Sequence, residues 1–306
     1  MNNLNTHIKY YLEYCETQKR LDEKTLKAYK TDLRQFATHI EVDTVEAITS
    51  SILENYISHA HESYKPKTVK RKIASVKAFF HYLEYREILE VNPFNKLHIK
   101  FREPIILPKT IPLHTVETFL ATIYRQRELA KTNYQRKNAL RDIAISELLF
   151  STGIRISELC ALKADDIDLY DGTVLIYGKG AKERCMQIGN KSVLGILSEY
   201  RKTYEKEIEN CNHFFANQSG TPISDQAVRR MINKYCSLAG INQHITPHMF
   251  RHTFATCLLE ADVDIRYIQE MLGHSSINIT EIYTHVAMSK KKNILTTKHP
   301  RKDFNL

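Results

Sequence analysis

Four of the eight prolines in the chain, Pro93, Pro104, Pro108 and Pro112, fall in one short stretch with little helical periodicity. Proline lacks a backbone N–H and clashes with the preceding turn, so no continuous helix or central strand can run through it. The 306-residue chain therefore reads as two folding units, 1–92 and 113–306, joined by a stiff tether over 93–112. Such a tether lets two units lie on opposite sides of a rod-like partner. At this length each unit can bury a core of its own.

The first unit carries four helical patterns. Ile8, Tyr11, Leu12 and Cys15 share one helical face, and Leu26, Tyr29, Leu33, Phe36 and Ile40 repeat the spacing after a start at Asp22. Ser51 followed by Glu54 predicts a capping box opening a short third helix through Tyr56 and Ile57. Pro66 opens the fourth, with Val69, Ile73, Val76, Phe80 and Leu83 inward. Its polar side is crowded by Lys65, Lys67, Lys70, Arg71, Lys72 and Lys77, with no acid before Glu84. A solvated helix face would look similar in isolation, but the missing counter-charges favour phosphate contacts. The whole chain agrees: 44 Lys+Arg against 35 Asp+Glu give a net charge of +9, which favours nucleic acid first and an acidic membrane surface second. No apolar run approaches the roughly 18 residues of a membrane span. Met1 to Lys9 is polar, and a cytoplasmic location is expected.

The second unit begins with a helix from Leu113 to about Ala130, then a polar stretch through Arg136. A long helix from about Lys137 buries Leu140, Ile143, Ala144, Leu148 and Leu149 and ends at Ser151-Thr152-Gly153. Arg155 and Glu158 open the next. Thr173 to Tyr177 and Arg184 to Ile188 read as a β-hairpin across Gly178-Lys179-Gly180-Ala181-Lys182. Helices resume from Lys191 to about Asn210 and from Ser224 to Leu238. The expected fold is mainly α with a small antiparallel β-sheet. Six scattered cysteines show neither zinc-ligand spacing nor a Cys-x-x-Cys pair, so reduced thiols are expected, and no metal or cofactor.

The densest chemistry lies between Thr246 and Tyr283. Thr246 and Pro247 open a helix on which His248 and Arg251 are three residues apart and share a face. A further helix, Ile265 to Leu272, stops at Gly273, suited to the left-handed turn that would expose His274. Tyr283 follows, then a basic tail. Arginine offers a fixed fork of donors to phosphate oxygens, histidine exchanges protons near neutral pH, and tyrosine can be a covalent nucleophile. Taken singly, each motif has an ordinary structural explanation. Together they describe phosphoryl transfer without an obvious metal.

With Arg155, Lys179, His248, Arg251, His274 and Tyr283 in this order, the chain resembles the tyrosine recombinase (phage-type integrase) family, and within it the short Xer-like branch. The blocks that carry the resemblance span nearly the whole chain: T-L-K-A-Y-K-T-D-L, R-D-x-A-I-x-E-L-L, T-G-I-R-I-S-E-L, G-K-G-A-K-E-R, P-H-M-F-R-H-T-F-A-T, L-G-H-S-S, I-Y-T-H-V and H-P-R. The resemblance implies a four-helix core-binding (SAM-like) domain followed by an α/β catalytic domain with a C-terminal docking tail. It implies that Arg155 and Arg251 clamp the scissile phosphate, Tyr283 attacks it, His248 assists by proton transfer, His274 donates a hydrogen bond and Lys179 protonates the leaving 5′ oxygen. Glu158 would support the site from behind. The implied partner is double-stranded DNA bearing specific sites, bound by a homo-tetramer, alone or with a related recombinase or accessory protein. Relaxation of DNA by the same chemistry, as in a type IB topoisomerase, a non-catalytic DNA-binding regulator and a metal-dependent nuclease are the alternatives.

Overall fold

The computed structural model describes residues 3–99, 109–178 and 183–273, and divides the chain into two compact units, Met1–Ile106 and Leu107–Leu306. Within the described residues, the first unit is four helices: α1 (Leu4–Thr17), α2 (Glu23–Ile40), α3 (Ser50–Ser63) and α4 (Pro66–Tyr85). Asp22 caps α2 by accepting from the Thr25 N–H at 2.9 Å, and Pro66 supplies the first turn of α4. The third helix starts earlier than the sequence suggests. Thr49, not Ser51, is its N-cap and accepts from the Ile52 N–H. Leu33, Phe36, Val69, Val76, Phe79, Phe80 and Leu83 are buried in the shared core.

One lysine lies elsewhere than expected. Lys72 is 1% exposed, because it falls on the apolar stripe of α4 with Val69, Ile73 and Val76. Its ammonium donates to Gln35, lies 3.6 Å from Asp32 and sits 4.4 Å from the centre of the Tyr64 ring. It neutralises a fully buried carboxylate on α2, and is not on the surface that could meet a phosphate. Arg71 is exposed but also pairs with Asp32, which accepts from Ser75 at 3.0 Å. Lys67, Lys70, Arg71 and Lys77 follow helical spacing along one exposed face of α4, with Lys65 exposed at its start.

The tether is anchored at both ends. Pro93–Lys96 forms a 3-10 turn whose Phe94 joins the first core, while Ile111 belongs to the second and its N–H donates to Thr253 Oγ1 at 2.8 Å.

In the second unit α5 (Leu113–Glu128) and α6 (Asn133–Thr152) pack side by side, with α8 (Lys191–Thr203) and α11 (Pro247–Glu260) also against α6. The helix α6 begins four residues before Lys137, through a capping box between Thr132 and Gln135. Its polar first turn faces solvent and so resembles a loop in sequence. Next come α7 (Ile156–Ala161) and a three-stranded antiparallel sheet in the order β1 (Ile167–Asp168), β2 (Thr173–Tyr177), β3 (Glu183–Gln187). The sheet gains β1, which the sequence did not suggest, and β3 is shifted by one residue from its expected span. The single helix expected over 191–210 is two, α8 and α9 (Glu205–Cys211), broken where the buried Tyr204 donates its hydroxyl to the Lys137 carbonyl. α10 (Asp225–Leu238) and α12 (Ile265–Leu272) complete the described part. Among the described residues no helix is long and apolar enough to cross a membrane.

Candidate active site

The site is built where the end of α6, the start of α7, the helix α11 and the end of α12 meet. The turn after α6 comes first: Gly153 closes that helix with φ +60°, and a Cβ there would lie 2.7 Å from the Phe254 ring and 3.1 Å from Leu272. Only glycine meets both demands. Two residues later Arg155 is the N-cap of α7, and Glu158, one turn on, reaches back. The Glu158 carboxylate accepts the Arg155 N–H at 3.0 Å and its guanidinium at 2.7 Å.

Arg251 comes from the middle of α11, 4% exposed, and donates to the Gly153 carbonyl at 2.9 Å and to the Leu272 carbonyl. His248 sits one turn earlier on the same helix, with part of its surface open to solvent and the rest covered. Partial burial pushes its pKa below the ordinary histidine value, and the guanidiniums of Arg229, Arg251 and Arg155 push the same way. The neutral imidazole, able to take a proton, is therefore the resting form near pH 7. Next to it His252 is also held below the ordinary value, by burial, His248 and Arg251, and its Nδ1 is buried without a hydrogen-bond partner among the described residues.

The last turn of α12 forms the third wall. Its three final carbonyls each accept from a different arginine: Met271 from Arg184 Nε at 2.9 Å, Leu272 from Arg251, and Gly273 from Arg155 Nη2 at 3.3 Å. The C-terminal end of a helix is its electronegative pole, with carbonyls left over from the intrahelical ladder. Three guanidiniums satisfy them. Gly273 then turns with φ +64°. The cleft bounded by Arg155, Glu158, Tyr177, Arg184, Tyr267 and Gly273 measures about 1310 Å³.

The fold thus brings Arg155, Glu158, His248 and Arg251 together from α7 and α11. Lys179, His274 and Tyr283, with the C-terminal tail, lie outside the described residues. Two members escaped the sequence reading. Arg229 on α10 is close enough to influence His248, a proximity with no local signal in the chain. Arg184 carried one: on β3 it pairs with the buried Ile176 and alternates in phase with Met186, so an arginine occupies an inward position. Such a charge needs a buried partner, and Glu158 is that partner, at 3.0 and 2.6 Å from the two ends of the Arg184 fork. Burial would raise the Glu158 carboxyl, but the hydrogen bonds from Arg184 and from the Arg155 backbone and side chain outweigh it and hold the pKa below the usual range.

A helical first unit and a helical second unit with a small sheet, the latter bringing two arginines and a histidine near one another, define a DNA strand-transferase architecture when set beside known proteins. The Phage integrase family matches residues 121–290, and the Phage integrase, N-terminal SAM-like domain family matches residues 8–87. The chain belongs to the tyrosine recombinase (phage integrase) family, and its second unit holds that family's catalytic domain. It is 70% identical over 305 residues to a tyrosine recombinase of Agathobacter rectalis, covering 100% of both chains. It is 30% identical to tyrosine recombinase XerC of Bacillus subtilis, with 98% of each covered. Among solved structures, the fold matches XerH site-specific recombinase bound to palindromic difH substrate, with a TM-score of 0.72 and 22% identity over 93% of this chain and 83% of that one. A lambda integrase tetramer bound to a Holliday junction matches with a TM-score of 0.66 and 17% identity, over 90% of this chain and 78% of that one.

Proposed function

We propose that the chain cleaves and rejoins duplex DNA at specific sites through a 3′-phosphotyrosyl intermediate, exchanging strands as a tetramer on paired DNA. The observation that carries this reading is the convergence of Arg155 and Arg251 on the carbonyl end of α12, immediately before His274. Two fixed guanidiniums so placed suit the non-bridging oxygens of one phosphodiester. The Tyr283 oxygen attacks phosphorus, the P–O5′ bond breaks, and Lys179 gives a proton to the departing 5′ oxygen. His274 donates a hydrogen bond to the phosphate, and His248 takes up the phenol proton. Tyrosine has a reference pKa of about 10, so attack near pH 7 needs a base and a cationic pocket. The arginines stabilise charge on the pentacoordinate phosphorus. Because the new ester keeps the energy of the broken bond, religation to another 5′ hydroxyl needs no nucleotide cofactor.

Residues 1–92 act as a separate DNA clamp, tethered by 93–112 to the catalytic domain 113–306, in this reading. Lys65, Lys67, Lys70, Arg71 and Lys77 face the phosphates, and Lys72 serves the clamp from inside. The DNA-bound XerH and lambda integrase structures support a DNA partner and a tetrameric assembly. The test is a suicide duplex nicked near the scissile phosphate, incubated in EDTA. A covalent adduct with the wild type and none with Tyr283→Phe, at near-equal DNA affinity, is expected. An adduct persisting in Tyr283→Phe would move the nucleophile elsewhere, and a supercoiled plasmid bearing the site that is relaxed without giving recombinants would favour a topoisomerase instead.

A further inference from the structure

Glu158 is a buried carboxylate that receives four donors from two arginines. Two come from Arg155, the N–H and Nη1, and two from the Arg184 fork, at 3.0 and 2.6 Å. The two guanidiniums differ in setting. The Arg155 side chain is 31% exposed toward the cleft, whereas that of Arg184 is 10% exposed and continues to the Met271 carbonyl. With Arg155 alone, Glu158 would cancel the charge that a phosphate needs. With both, one net positive charge remains, and the exposed guanidinium is the one that can present it.

We propose that Arg184 is a positioning residue for strand cleavage: by supplying the second positive charge to Glu158, it leaves Arg155 cationic and directed into the cleft. This rests on the phosphate-binding role proposed for Arg155. Three features support it beyond charge counting. Arg184 is the first inward side chain of β3 in chain order, paired with Ile176, while Glu183 and Cys185 on either side are exposed. Its guanidinium packs against the Gly273 turn, where a Cβ would lie 3.1 Å from it. Its fork is planar and bidentate, so it fixes the rotation of the Glu158 carboxylate and hence which Arg155 nitrogen that carboxylate can hold. Without Arg184 the carboxylate is free to take the Arg155 fork for itself.

The test is a cycle of cleavage rates with the full-length protein and one suicide substrate: wild type, Arg184→Gln, Glu158→Gln and the double variant, with Arg155→Ala as control. Arg184→Gln is expected to slow adduct formation by about 10²-fold, the cost of a modest misplacement of a reacting group, with DNA affinity unchanged. Arg184→Lys keeps the charge but loses the bidentate fork, so its rate falls between those of Arg184→Gln and wild type. Adding Glu158→Gln to Arg184→Gln restores at least about tenfold, because a neutral amide no longer competes with phosphate for Arg155. If Arg184→Gln does not fold, the double variant still decides. With no carboxylate to balance, it stays within about tenfold of Glu158→Gln alone. Losses that multiply in the double variant, or wild-type cleavage by Arg184→Gln, overturn the inference while leaving the site reading intact. Wild-type cleavage by Arg155→Ala overturns both.

Discussion

Arg155 and Arg251 are given the same chemical task, yet their surroundings predict different consequences for stability. Truncating Arg251 removes a side chain from a residue that is 4% exposed and strips donors from the Gly153 and Leu272 carbonyls. A buried acceptor left without a partner costs about 1–3 kcal/mol, so two of them, allowing for relaxation, amount to roughly 2–4 kcal/mol. Arg155 is 31% exposed, and in its absence Glu158 still holds the bidentate Arg184. Partly exposed ion pairs contribute about 0–1 kcal/mol, and the loss in Arg155→Ala should stay near that range. Both variants should lose cleavage by about 10²- to 10³-fold or more, as expected when a donor to a developing charge is removed. The chain has no tryptophan, so melting is followed by far-UV circular dichroism, alongside adduct formation on the suicide substrate. At about 2–4 °C per kcal/mol for a domain of this size, Arg251→Ala should melt roughly 5–15 °C below wild type, and Arg155→Ala within about 4 °C of it. Equal melting points for the two variants, with cleavage lost in both, would refute the argument that Arg251 is a structural as well as a chemical group.

Neutralising Lys67, Lys70 and Arg71 together should weaken binding to all DNA sequences and flatten the salt dependence by up to about 0.9 units of slope per lost contact. Lys72→Ala should leave that slope unchanged while destabilising the first unit, because it removes the buried cation beside Asp32 and leaves only the exposed Arg71 to balance that carboxylate; a flatter slope would return Lys72 to the DNA face. For His248, the depressed pKa means that the unfolded chain binds the proton more readily than the folded one. Its contribution to stability is therefore present above about pH 6.5 and is lost as pH falls below that, and the acid limb of the cleavage profile should likewise lie below 6.5 and disappear in His248→Gln. A limb unchanged in that variant would assign it to another group. Lys179→Ala should be rescued by a substrate with a bridging 5′ sulfur, whose departure needs no proton; no rescue at normal DNA affinity would remove the general-acid role.

The helix starts that were legible from sequence are those whose chemistry is local. Asp22, Pro66, Ser224 and Pro247 all mark real first turns, because a cap or a proline acts within three residues. The misplaced start at Ser51 fails for the same reason at finer scale: Thr49, Ser50 and Ser51 all carry hydroxyls, and only the packing of α3 decides which one caps. Lys72 was hidden by its neighbours. In a run so rich in lysine the composition points outward for every residue, whereas the register of Val69, Ile73 and Val76 turns this one inward. At the site, His248 and Arg251 could be paired from their helical spacing, whereas Arg155 and Glu158 were singled out by the family resemblance. The carbonyls of Met271, Leu272 and Gly273 were not legible, since every residue carries one and only the folded chain shows which face the arginines.

Gly153 carries no functional group, yet the two helices that bear Arg155 and Arg251 meet through it, and Phe254 and Leu272 close over the space where a side chain would be. A relative could keep every polar residue of the motif and still be inert if this one position acquired a methyl group. Counting the reactive residues in a genome sequence therefore overestimates how many such proteins can work.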